Sequence, residues 1–140
     1  MKIHVCTAAG MLGSFLAYLL GGWDEALITL IIFMTIDYIT GLMVAGVFKK
    51  SRKTETGGLE SNAGFKGLCR KCMILLFVLI GVKLDLILGI DYIRNTVIIA
   101  FITNELISIV ENAGLMGLPI PKVIIDAIDV LKKKEGEVND

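Results

Sequence analysis

Two long runs almost free of charge dominate the first third of the chain. Ile3 to Trp23 carries no formal charge when His4 is neutral, and Ala26 to Phe48 carries only Asp37. In so apolar a stretch the backbone must satisfy its own hydrogen bonds, which a helix does. About 20 such residues, rising 1.5 Å each, cross a hydrocarbon core of about 30 Å. The whole composition agrees, since 55% of the 140 residues are hydrophobic and only 20% are charged. A chain this short has too little interior to hide that excess, so a lipid bilayer is the expected environment. An h-region of a signal peptide is shorter than Ile3–Trp23, and no small-x-small cleavage site precedes Trp23, so the first run reads as an uncleaved span.

Two further segments extend the pattern. Cys72 to Ile90 is apolar apart from Lys83 and Asp85, and Tyr92 to Ala113 follows after a tight Gly89-Ile90-Asp91 connection. The expected architecture is an all-α integral membrane protein in one membrane domain, with about four spans near 4–22, 26–48, 72–90 and 92–113. Between spans two and three lies a polar segment, 49–71, with Lys49, Lys50, Arg52, Lys53, Lys66, Arg70 and Lys71 against Glu55 and Glu60. Its Gly57-Gly58 and Ser61-Asn62 pairs read as loop. Pro119 and Pro121 break the fourth helix. The tail, 119–140, then offers a short amphipathic helix from Pro121, with Lys122, Asp126, Asp129 and Lys133 on one face and Ile124, Ile128 and Leu131 on another. It is too charged to span, and it suits the membrane surface, a neighbouring subunit or a solvated cap.

Lys and Arg near span ends stay in the cytoplasm. The 49–71 loop and Lys132, Lys133 and Lys134 therefore belong inside, and four spans with both termini cytoplasmic satisfy every segment. Three spans are the alternative, with Lys83 and Asp85 ending a short third segment or the fourth lying in the interface. Balanced charge, 14 basic against 14 acidic residues, gives no reason to expect a nucleic-acid partner.

Ala9, Gly13, Ala17 and Gly21 recur every fourth residue along span one, and Gly41 and Ala45 repeat the spacing once in span two. Such faces let helices in lipid approach closely, either within one chain or between subunits of a homo-oligomer. In span four, Thr96, Ala100, Asn104, Ser108 and Asn112 are also spaced by four, flanked by Glu105 and Glu111. With Asp37, Lys83 and Asp85, this places several ionisable groups at membrane depth, where an unpaired charge costs about 2.5–3.5 kcal/mol on insertion scales. Two readings follow: Lys83 pairs with Asp37 or Glu105, or these groups line a water-filled path or subunit seam.

Catalysis has no foothold. His4 is the only histidine, and there is no nucleophile with a base, no phosphate-binding glycine loop and no metalloprotease motif. Cys6, Cys69 and Cys72 cannot pair completely, and Cys69-Arg70-Lys71-Cys72 lacks the further ligands a zinc site needs. No cofactor and no metal are expected.

At the level of motifs the chain resembles the small phage-lysis and toxin-secretion holins. The matching elements are Asp37-Tyr38-Ile39-Thr40-Gly41, the basic Lys49-Lys50-Ser51-Arg52-Lys53, and Ser61-Asn62-Ala63-Gly64-Phe65-Lys66-Gly67 leading to Arg70-Lys71. They continue with Asn104-Glu105, Ser108, Glu111-Asn112 and Gly117-Leu118-Pro119-Ile120-Pro121. They run in family order over most of the chain from span two onward. The resemblance implies a non-enzymatic protein that oligomerises in the bacterial cytoplasmic membrane. It also implies timed lesions that let an endolysin or a large toxin cross. The competing classes are a small ion channel or transporter, a holin whose holes only depolarise the membrane, and an adaptor whose basic loop binds a cytoplasmic partner or anionic lipid. Transporters usually carry an internal repeat, and none is visible.

Overall fold

The computed structural model describes residues 1–139; Asp140, the last residue of the 119–140 tail, lies outside them. Five helices, with no strand among the described residues, follow in order: α1 Lys2–Leu19, α2 Glu25–Gly46, α3 Ser61–Leu88, α4 Ile93–Leu115 and α5 Lys122–Asn139. Of these, α1, α2 and α4 are long and apolar enough to cross a membrane. The α3 helix carries too many charges to qualify on composition.

α4 is the axis of the bundle, because α2, α3 and α5 all pack against it while α2 and α3 barely meet. The core lies where the first three of these helices converge: Leu27, Leu30 and Met34 of α2, Val78 of α3, and Ile98 and Ile102 of α4. The 3- and 4-residue spacings within α2 and α4 put these side chains on one face of each helix. Asp24 starts α2 by accepting the Leu27 N–H at 3.0 Å, and Glu25 in the first turn complements the helix dipole.

The sequence pattern misplaces α3. The loop expected over 49–71 ends at Glu60, and Ser61 to Lys71 are helical. A stripe spaced by three and four explains why: Gly64, Gly67, Lys71, Ile74, Val78 and Gly81 share one face, with Gly64 and Gly67 against Tyr38 of α2. Gly81 meets the start of α4, since a Cβ on it would lie 2.9 Å from the Arg94 Cα. Residue 81 is thus level with the first turn of α4, and Lys83 and Asp85 lie beyond that level.

α1 stands nearly free. Only Ala17 is buried, a Cβ on Gly10 or Gly13 would meet nothing within 4 Å, and Leu20 just past its end packs on the core. The tail helix α5 turns back along α4, burying Ile128 and resting Leu131 on the core, while Ile124 at the turn is 36% exposed. Its apolar face is the expected one, and it is covered by its own chain.

Candidate functional site: a charged cluster inside the bundle

Near the middle of the bundle, three helices each contribute one charged side chain. Lys71 of α3 donates from Nζ to Asp37 Oδ2 of α2 and, at 2.5 Å, to Glu105 Oε2 of α4. Asp37 and Glu105 are 5% and 6% exposed. Asn112, two turns further along α4, donates to Asp37 Oδ1 at 3.2 Å, to the Asp37 carbonyl at 3.4 Å and to Thr40 Oγ1 at 2.9 Å. A lone carboxylate here would be prohibitively desolvated, so each one is held by the ammonium and one is also held by an amide. Two carboxylates and one ammonium leave a formal excess of one negative charge.

Lys83 does not take the part expected of it. It is exposed and forms no ion pair among the described residues, and Lys71 holds both carboxylates instead. Twelve residues of helix separate Lys83 from Lys71, about 18 Å along the axis, which no lysine side chain spans. Asp85 is likewise remote from the cluster. Its carboxylate accepts the N–H groups of Ile93 and Arg94 at 2.9 and 3.1 Å, closing the α3–α4 corner.

The span-four stripe divides. Asn112 and Glu105 are buried in the cluster, Asn104 is exposed and lines a groove between α2 and α3, and Ser108 and exposed Glu111 line a second cavity beside Arg52 and Lys53. The small-residue set divides as well. Ala9 and Gly13 are unpartnered, Ala17 is buried, a Cβ on Gly41 would lie 3.9 Å from Asn112 Nδ2, and Gly21 abuts Arg94.

Arg94 is a residue that composition alone did not single out. It is 8% exposed and clasps the α1–α2 turn, donating to the carbonyls of Leu20 at 2.7 Å and Gly22 at 3.2 Å and to both Asp24 oxygens at 2.6 and 3.1 Å. Gly21 has φ +89°, and a Cβ on it would sit 2.6 Å from Arg94 Nε, so the clasp requires glycine there. Arg94 holds the Asp24 carboxyl below its ordinary value of 3.8, with burial opposing and the Leu27 N–H assisting. A depressed folded-state value means the stabilisation is complete above the unfolded value and fades as pH falls through the lower, folded one. Thermal unfolding of detergent-solubilised protein should therefore lose stability below about pH 4. The Asp24→Asn variant, which keeps the helix cap, should show a smaller acid loss over the same window. Equal acid loss in both proteins would remove Asp24 from the account.

With this geometry in hand, comparison with known proteins assigns the family. The bacteriophage holin family model matches residues 14–133. The chain belongs to the bacteriophage holin family. A probable holin of Bacillus phage phi105 is 31% identical over 122 residues, covering 86% of this chain and 84% of that protein. An uncharacterized protein of Halalkalibacterium halodurans is 39% identical over 136 residues, covering 93% and 95%. Another, from Listeria monocytogenes, is 39% identical over 126 residues, covering 89% and 84%. No solved structure matches. Holins are in general non-enzymatic and oligomerise in membranes, and three membrane-capable helices agree with a membrane protein. The family match begins within α1 and takes in all three charged members of the cluster and Arg94.

Proposed function

We propose that the chain accumulates in the bacterial cytoplasmic membrane, assembles with copies of itself and opens timed lesions through which an endolysin or a large toxin crosses. The observation that carries this reading is the polar layer of α4. Glu105 and Asn112 are sealed within one chain, while Asn104 and Glu111 on the same helix face outward. Outward polar groups at bilayer depth favour an assembled state in which they meet water or another subunit. The alternative of a small-hole holin or ion channel draws on the same polar layer, used at ion width.

We infer four passes, with α3 as the charge-bearing one, its Lys71 neutralised by Asp37 and Glu105. Loop 47–60 and both termini are then cytoplasmic. α5, packed back along α4 in the structure, is too charged to stay beside it in the bilayer, so this topology requires it to leave α4 for the membrane surface about Gly117–Pro121. Single cysteines replacing Trp23, Thr56, Asp91 and Glu137 in a cysteine-free background test this with an impermeant thiol reagent. Positions 23 and 91 should label from outside intact cells. Labelling at 56 or 137 from outside contradicts the topology.

The free stripe of α1 is assigned to the subunit contact. Ala9→Ile with Gly13→Ile, at its two unpartnered positions, blocks close approach while keeping the span apolar, so insertion should persist and crosslinked oligomer ladders should shorten. Unaltered ladders exclude this face.

A further inference from the structure

A groove of about 380 Å³, with Asp37, Lys71 and Glu105 of the charged cluster in its wall, runs between α2 and α3 from the 47–60 loop down to Phe101 of α4. Its two ends differ in chemistry. Its polar lining comprises Ser51, Lys53 and Thr54 of the loop and Arg70 of α3, the neighbour of Lys71. Further in it is lined by Leu42, Met73, Phe77 and Phe101, the two rings standing 5.9 Å apart. Leu42, Met73 and Phe77 are also exposed on the outside of the bundle, so this end opens sideways to whatever surrounds the helices.

The polar end lacks partners. Lys71 is consumed by Asp37 and Glu105, and Glu60, the remaining acid lining the groove, accepts from Thr56 Oγ1 at 3.5 Å. Lys53 and Arg70 form no ion pair among the described residues. Thr54 Oγ1 is buried without a hydrogen-bond partner, which leaves its desolvation uncompensated. Two unpaired cations, an unsatisfied hydroxyl and the Ser51 hydroxyl together suit a phosphate oxygen cluster. An apolar trough open to the bilayer suits an acyl chain.

We propose that this groove binds one anionic phospholipid, its phosphate held by Lys53, Arg70 and the Ser51 and Thr54 hydroxyls and one acyl chain laid along Leu42, Met73, Phe77 and Phe101. The volume lies in the range of small-molecule sites, about 300–1,000 Å³, and takes the head and upper chain while the rest extends into the bilayer. The bound lipid fills the gap left where α2 and α3 barely touch. The proposal stands apart from the lesion reading, because it requires only membrane residence.

The test is native mass spectrometry of the full-length chain in mild detergent, titrated separately with phosphatidylglycerol and phosphatidylcholine of the same acyl chains. One phosphatidylglycerol per protomer should bind in preference to phosphatidylcholine. Lys53→Gln with Arg70→Gln should weaken it about fivefold per cation removed, whereas Lys50→Gln with Lys66→Gln, basic residues outside the groove, should leave it unchanged. Thr54→Val keeps the volume and removes only the hydroxyl, so it should weaken binding even if the double variant does not fold. Equal binding of the two lipids, or equal losses in the groove and control pairs, or full affinity in Thr54→Val overturns the assignment. Displacement by millimolar inorganic phosphate would mark a free-phosphate site and overturn the lipid.

Discussion

Lys71→Met should destabilise the folded chain by about 3–5 kcal/mol, the usual cost of breaking a buried ion pair by removing one partner. The substitution keeps the length and apolar stem of the side chain but leaves Asp37 and Glu105 facing each other across α2 and α4 without a cation. That loss is a large share of a typical folding stability of about 5–15 kcal/mol, so the variant should accumulate poorly in membranes and unfold at lower temperature in detergent. Asp37→Asn, Lys71→Met and Glu105→Gln combined remove every charge of the cluster and should restore most of the lost stability, since an uncharged triad has no charge to desolvate. The readouts are the membrane-fraction yield and the thermal midpoint. A single variant as stable as the parent would contradict the cluster, and so would a triple variant no better than the single.

The two helices that frame this cluster were legible because hydrophobic length is a strong constraint. α2 and α4 fall within two residues of the stretches read from the sequence at each end, and Asp37, Glu105 and Asn112 were recognised as polar groups at membrane depth. The partner of the carboxylates was not. Lys71 sits among so many basic and glycine residues that the segment reads as loop, yet the spacing of Gly64, Gly67, Lys71, Ile74, Val78 and Gly81 continues the buried face of α3 backwards. The loop reading rests on Gly57-Gly58 and Ser61-Asn62, whereas Gly64 and Gly67 let Tyr38 approach α3 closely. The Arg94 clasp left no periodic trace at all. It joins residues more than seventy positions apart through backbone carbonyls, which carry no sequence pattern.

Induction of the protein in a bacterium is expected to leave growth unaffected for a lag and then stop it abruptly. Protomers with a sealed cluster can persist singly, whereas a lesion needs many of them, so opening depends steeply on membrane concentration. Co-expression with a cell-wall hydrolase that lacks its own export signal should turn the arrest into lysis. Asn104→Leu with Ser108→Leu keeps the charges of Lys71, Asp37 and Glu105 and makes apolar the exposed Asn104 and the half-buried Ser108, whose hydroxyl also bonds Asp37, so insertion should persist while opening is delayed or lost. A selective pore through one small bundle would instead depolarise cells gradually and pass only ions or metabolites.

The decisive measurement is the release of a folded cytoplasmic reporter across the inner membrane, timed against the loss of membrane potential in the same culture. Lesions of the proposed kind release the folded reporter at the moment the potential collapses, and the Asn104→Leu, Ser108→Leu variant postpones or abolishes both together. A collapse of potential with every folded protein retained inside would contradict export of a hydrolase or toxin and leave a channel of ion width.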